Sequence, residues 1–451
     1  MKKFRFIGIL VLLLISSISC KNSGDHNHNN STKNKESSTL VLNVKTWNDL
    51  SKSQQNFLNM VEKKAFEFFW DGTDQTTGLG DASSIGKKDR ISIASEGFGL
   101  SSICIADTRG WISHNEAYNR VLKILNSFYK NPNDSTDFCV QGKEGLFYHF
   151  INRKTGKRFG KSEVSTIDSG ILMAGILDCM EHFKGTKIEA LARKIYLNAN
   201  WKWYIRSDGA IAGSWSPEKG IRGEFRGYNE YILSYLLGLG SPTHPIPDSS
   251  WDVYASTYHW IQPYKEIGAF LTARSKMRPE AYLYQFPACW VDFRGKKDHY
   301  ADYWQNGINA LEANRKYCLD WAKKNNYPDK KLWGWTACAG EKRYLGFSAP
   351  YNGTIAPSAV AASLPFIPNY AFPELQYMYD QYKDKIWGKY GFTDSFNVAQ
   401  NWYDQGYISI DEGNTVLMIE NFRNGGVWKE FMQNPYIQNA MKKAGFASKT
   451  S

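Results

Sequence analysis

The chain has no His-Glu-x-x-His sequence among its eight histidines, which argues against a zinc hydrolase. Its seven cysteines include no Cys-x-x-Cys pair. Cys104 and Cys179 fall inside apolar helical runs and read as buried thiols, while an exported chain could pair others among Cys139, Cys289, Cys318 and Cys338. No cofactor motif and no nucleic-acid motif is present. The net charge of +11 is dispersed, with only a modest local concentration between Arg153 and Lys161, so no nucleic-acid partner is expected. No Pro/Ser/Gly-rich linker divides residues 46–451, which favours one large body over two domains. Strand-like pieces are also scarce, and they fall in long connections such as Ala210 to Arg226 and Leu332 to Ser348.

Residues 1–20 read as an export signal rather than as part of the fold. Lys2, Lys3 and Arg5 precede an apolar run from Phe6 to Ile15, and small residues lead to Cys20. The run is too short for a comfortable membrane span. Cys20 directly after Ser17-Ile18-Ser19 reads as the acylated first residue of a lipoprotein, with ordinary signal cleavage nearby as the alternative. Residues 21–45 are rich in Asn, Ser, Lys and His and predict a disordered tether, in which His26 and His28 are solvated rather than metal-binding. The expected location is therefore the outer membrane, on its periplasmic or surface side, with contact only through a lipid.

What the chain does contain is a repeated pattern. Glu96, Asp168, Glu230 and the pair Asp411-Glu412 each stand at the head of an apolar stretch rich in small residues. Stretches apolar on every side predict fully covered helices. Between them run two-faced helices: Ser51-x-x-Gln54 and Ser113-x-x-Glu116 are capping boxes, and similar stretches occupy roughly 187–203, 307–324 and 373–387. Covered helices alternating with half-exposed ones predict an all-α toroid, an (α/α)6 barrel with long rim loops and small β-hairpins. Parallel inner helices then gather their acidic heads at one rim, the arrangement that acid/base chemistry on a sugar needs. The bland alternative is that acids favour helix N-termini because of the macrodipole.

Aromatics make up 15% of the chain. Most must be core, but Trp215 and Trp335 lie in Gly-punctuated loops where an indole suits the CH-lined face of a pyranose. His244 in SPTHP and Arg294 in WVDFRGKKD, with Asp292 beside it, carry polar groups in irregular settings, where loop pinning is an equally good account.

The segments 95–106, 162–177, 227–246, 290–298, 353–368 and 408–423 together resemble, in order, the bacterial glucoamylase-like family that includes endo-β-1,2-glucanases. The resemblance implies a glycoside hydrolase that cleaves β-1,2-linked glucan with inversion; separately, no cofactor is expected and the chain is expected to be a monomer. Inversion needs a carboxylic acid and a carboxylate roughly 6.5–9.5 Å apart. The catalytic candidates are Glu230, Asp411, Glu163 and Asp168, with Tyr228 and Asn229 placing hydrogen-bonding groups beside Glu230. Glu96, Trp215, Tyr228, Asn229, His244, Asp292, Arg294, Trp335 and Asn352 are expected to contact substrate. Asn352 stands where the family pattern leads one to expect Asp, and residues 271–286 are unusually charged, so the exact glycan is open. The alternatives are a transglycosylase, an exo-acting hydrolase, or a noncatalytic glycan-capture lipoprotein.

Overall fold

The computed structural model describes residues 42–87, 89–129, 138–272, 279–347 and 349–448. The expected signal segment with Cys20, and the tether up to residue 41, lie outside the described residues. The described residues form one compact unit.

Among the described residues the chain forms α1 (Lys52–Asp71), α2 (Ile93–Thr108), α3 (His114–Phe128), α4 (Thr166–His182), α5 (Lys187–Leu197), α6 (Ile232–Gly240) and α7 (Ser249–Ala255). It continues with α8 (Tyr282–Trp290), α9 (Tyr303–Lys324), α10 (Pro357–Ala361), α11 (Pro368–Ile386), α12 (Ser409–Asn424), α13 (Gly426–Phe431) and α14 (Pro435–Lys443). The capping boxes form as their spacing predicts. Ser51 accepts the Gln54 amide at the head of α1, and Ser113 accepts that of Glu116 at the head of α3, each glutamine or glutamate side chain reaching back to its cap.

Covered and half-exposed helices do alternate. Every residue of α2 from Ile93 to Ala106 is buried, as is every residue of α4 from Ser169 to Met180 and all of α6. By contrast α3 and α5 bury only one face. Two glycines let α2 and α4 touch backbone to backbone: a β-carbon on Gly175 would strike the Gly97 carbonyl, and one on Gly97 would strike that of Ile171. Further along both helices Cys104 and Cys179 meet, Sγ to Sγ 3.4 Å as free thiols, so the two helices run parallel. The pairs Gln285–Asn414 (3.0 Å) and Cys289–Asn421 (2.8 Å) set α8 parallel to α12 in the same way. Trp290 Nε1 donates to Ser101 Oγ at 2.8 Å between α8 and α2. Left unmade, each such buried bond would cost about 1–3 kcal/mol, so these polar groups also fix the helices' relative register.

β-Structure is confined to short antiparallel pairs. Arg90–Ser92 pairs with Phe150–Asn152, and Val164–Ser165, Ser214–Ser216 and Gly220–Arg222 form a three-stranded sheet ahead of α4 and α6. The segment Leu332 to Phe347 is less regular than its sequence predicts, with an isolated bridge between Cys338 and Leu345.

Candidate active site

The heads of α2, α4, α8 and α12 line a cleft of about 800 Å³, together with Glu230 just before α6 and the loops around Ser83 and 339–344. A second arm of about 690 Å³ runs over the three-stranded sheet. Both arms are walled by His149, Ile167 and Asp168, which mark their junction. Glu230 faces the larger arm, Glu163 the smaller, and Asp168 both. Three of the four carboxylates expected to carry catalysis thus meet around one point.

Their protonation differs because their surroundings differ. Burial pushes Glu230 up to about 7, with the Asp168 charge adding to the effect. Glu163 is held below the usual carboxylate range, first by its hydrogen bond to His149, Nδ1 to Oε1 3.2 Å. Burial alone would lower His149, but Asp168, 3.6 Å from Nε2, and Glu163 together raise it. The imidazole is stacked on Phe150 with ring centroids 3.8 Å apart, which fixes it between the two acids. One carboxyl therefore keeps its proton up to about pH 7 while a second is kept ionised.

Asp411 sits differently. Its neighbours Ile408, Ser409 and Ile410 line the cleft, but its own carboxyl turns into a small cavity behind the wall, about 10 Å³, shared with Asp394 and Glu412. That is room for about one water. Burial raises both Asp394, to about 6, and Asp411, whose pKa the Asp394 charge raises further, so the two share a proton. Ser358 donates to Asp411 Oδ1 at 3.4 Å, and Asp394 Oδ2 accepts the Ala339 amide at 2.6 Å.

The remaining sequence candidates lie away from the cleft. Glu96 lines another small cavity, where it accepts the Gly80 amide at 2.8 Å and burial pushes it up to about 8. Trp215 pairs with Val164 and Ile221, so strand alternation turns it to the sheet face opposite Ser165, Ser214 and Arg222, which line the smaller arm. Tyr228 is buried in a stack with Tyr284 and Tyr303, and Asn229 pins the turn by accepting the Tyr231 amide at 2.9 Å; both position Glu230 from behind. Trp335 is buried against Tyr317, with centroids 5.0 Å apart. Asn352 closes a turn by accepting the Thr354 amide at 3.0 Å. His244 follows the C-terminal end of α6, where its amide donates to Ser241 Oγ. Asp292 and Arg294 pair at 2.9 Å beyond the C-terminal end of α8, the guanidinium lying over Trp428. Parallel helices put heads and tails at opposite ends, so these last three cannot reach the cleft.

Sequence reasoning missed His149, Arg90, Tyr282, Phe286, Tyr344 and Asp394. Tyr282 and Phe286 belong to the segment 271–286 already marked as atypical, although residues 273–278 lie outside the described residues. Tyr344 is 47% exposed within the cleft, and His149 lies in a bend just before the short strand Phe150–Asn152, with no motif around it.

Residues 223–435 match the family model described as "Putative glucoamylase". The chain is 26% identical over 428 residues to an exo β-1,2-glucooligosaccharide sophorohydrolase (non-reducing end) of Parabacteroides distasonis, covering 87% of this chain and 58% of that protein. The chain thus spans little more than half the length of that curated relative. A crystal structure of a protein of the same description as the family, from Bacteroides uniformis, superposes with a TM-score of 0.81 at 29% identity, covering 89% of this chain and 99% of that one. An endo-β-1,2-glucanase of Chitinophaga pinensis, solved with sophorotriose and glucose, gives a TM-score of 0.78 at 27% identity, covering 88% and 99%.

Proposed function

We propose that this chain is a member of the glucoamylase-like family and a glycoside hydrolase cutting β-1,2-linked glucan at the junction of the two arms. The observation that carries the reading is the trio Glu230, Asp168 and Glu163 around that junction, one acid held protonated near neutrality and one held ionised. Glu230 is the proton donor to the leaving oxygen. Water on the opposite face of the sugar gives up its proton to a carboxylate at the junction, Asp168 or the ionised Glu163, or to Asp411, once ionised, by a relay through the cleft wall. Tyr344 supports the relay, because its hydroxyl lies within the fields of both Asp411 and Asp168. Inversion follows from a carboxylate that activates water instead of attacking carbon.

Endo action is the finer reading, supported by space on both sides of Asp168. Exo action is the second, supported by the sophorohydrolase of Parabacteroides distasonis. The same proposal includes closure of the alternating helices into an (α/α)6 barrel, and export with a lipid on Cys20.

The test is incubation of the soluble body with linear β-1,2-glucan, following product size by chromatography and anomeric configuration by proton NMR. A ladder of oligosaccharides released as the α-anomer supports the endo, inverting reading. Release of disaccharide alone moves it to exo action, and β-anomeric products overturn inversion.

A further inference from the structure

The loop Ala339–Tyr344 forms one wall of the larger arm, and its root is tied to the protein interior. Cys338 and Leu345 close it by paired backbone bonds of 3.2 and 2.7 Å. Ser395 Oγ donates to the Ala339 carbonyl at 2.7 Å, and the Ala339 amide donates to Asp394 Oδ2 at 2.6 Å. Asp394 is 3% exposed and lines the small cavity with Asp411; apart from the proton the two acids share, its other oxygen, Oδ1, and Asp411 Oδ2 have no donor among the described residues. One carboxyl group therefore touches both the cleft loop and the buried acid behind the wall.

We infer that Asp394 is a positioning residue for hydrolysis, fixing through one oxygen the loop that carries Tyr344 and through the other the proton shared with Asp411. The inference rests on the hydrolase reading above. The titratable groups facing Asp394 are Asp411 and Glu412 from α12, Asp404 from the segment before it, Tyr390 across the cavity, and Cys338 and Tyr344 from the loop. No cation is recorded against it among the described residues, so its charge acts mainly on Asp411, whose proton it retains to higher pH.

Asp394→Asn and Asp394→Ala separate the two tasks. Asparagine keeps an acceptor for the Ala339 amide but removes the charge; alanine removes both. In Asp394→Asn, KM stays near wild type while the acidic limb of kcat/KM moves down by about one pH unit, because Asp411 no longer faces a like charge. In Asp394→Ala, KM rises roughly fivefold or more as the loop loosens. Amide hydrogen exchange at residues 339–345 speeds up in the alanine variant and not in the asparagine variant. An unmoved acidic limb in Asp394→Asn, or equal KM and equal exchange in the two variants, overturns the inference; a purely structural aspartate would lower the melting temperature of both alike. If wild type cleaves no β-1,2-glucan while the loop exchange still separates the variants, the hydrolase reading fails and the tie between Asp394 and the loop stands.

Discussion

Glu230→Gln reads the electrostatics of the cleft through stability and rate at once. Burial raises Glu230 from 4.5 to about 7, so the folded protein keeps a proton there that the unfolded chain gives up. Between those two values the folded state binds more protons, and stability must fall as pH rises through that window and stay lower above it. At 1.36 kcal/mol per pH unit the ceiling is about 3 kcal/mol, and partial exposure of the residue reduces it to about 1–2 kcal/mol. Glutamine has no proton to lose and escapes this cost. The variant should therefore melt with wild type near pH 4.5 and a few degrees above it at pH 8, measured by calorimetry. Its activity on β-1,2-glucan should fall by about 10²–10⁴-fold, the usual contribution of a positioned acid. In wild type the alkaline limb of kcat/KM should bend near pH 7 and fall about tenfold per further pH unit. A variant equally destabilised at both pH values, or one that stays active with the same alkaline limb, would refute the assignment.

His149→Ala should raise the Glu163 pKa toward its ordinary value and lower kcat/KM roughly tenfold, with the loss largest at acidic pH; a pH profile checks this. The His149 pairing itself stabilises the fold below pH 6.5 and is lost as pH rises through the raised folded value, so the melting difference between wild type and variant should shrink at alkaline pH. Gly97→Ala places a β-carbon against the Ile171 carbonyl and should cost about 3 kcal/mol or more, seen as a lowered melting temperature or loss of soluble protein. Arg294→Ala, at the far end of α8, should leave kcat/KM within about twofold while removing about 1 kcal/mol of stability from its contact with Trp428. Trp335→Ala should destabilise by about 3–5 kcal/mol through the cavity it leaves, with KM of the surviving folded protein unchanged.

The candidate site was legible wherever helical periodicity carried the information. Glu230, Asp168 and Asp411 stand at or beside the heads of α6, α4 and α12 because a stretch apolar on every side has to be an inner helix, and its first residues have to face the rim. Glu163 was legible for a related reason, two residues ahead of a serine whose side chain caps α4. Loop residues failed because their side-chain direction does not follow from their neighbours. Trp215 had the composition of a sugar platform, yet its strand parity turned it to the opposite face of the sheet. Arg294 and His244 had suitable polar chemistry and lie past the wrong ends of their helices.

Sequence alone determined the helix class, the alternation of covered and half-exposed helices, and the capping boxes, since each depends on contacts within a few residues. It also determined that several acids would sit at inner helix heads. Only tertiary structure decided which carboxyls share a solvent-filled space and which are sealed behind its wall. Glu230 and Asp411 have the same local pattern, but one faces the cleft and the other meets Asp394, because packing between distant segments sets the rotation of each helix head and the depth of each oxygen. His149 became a participant only when Phe150 and two acids, Asp168 in α4 and Glu163 just ahead of the strand before it, enclosed its ring. Such long-range packing also sets protonation, because desolvation and neighbouring charge are properties of the assembled cleft and not of any stretch of chain.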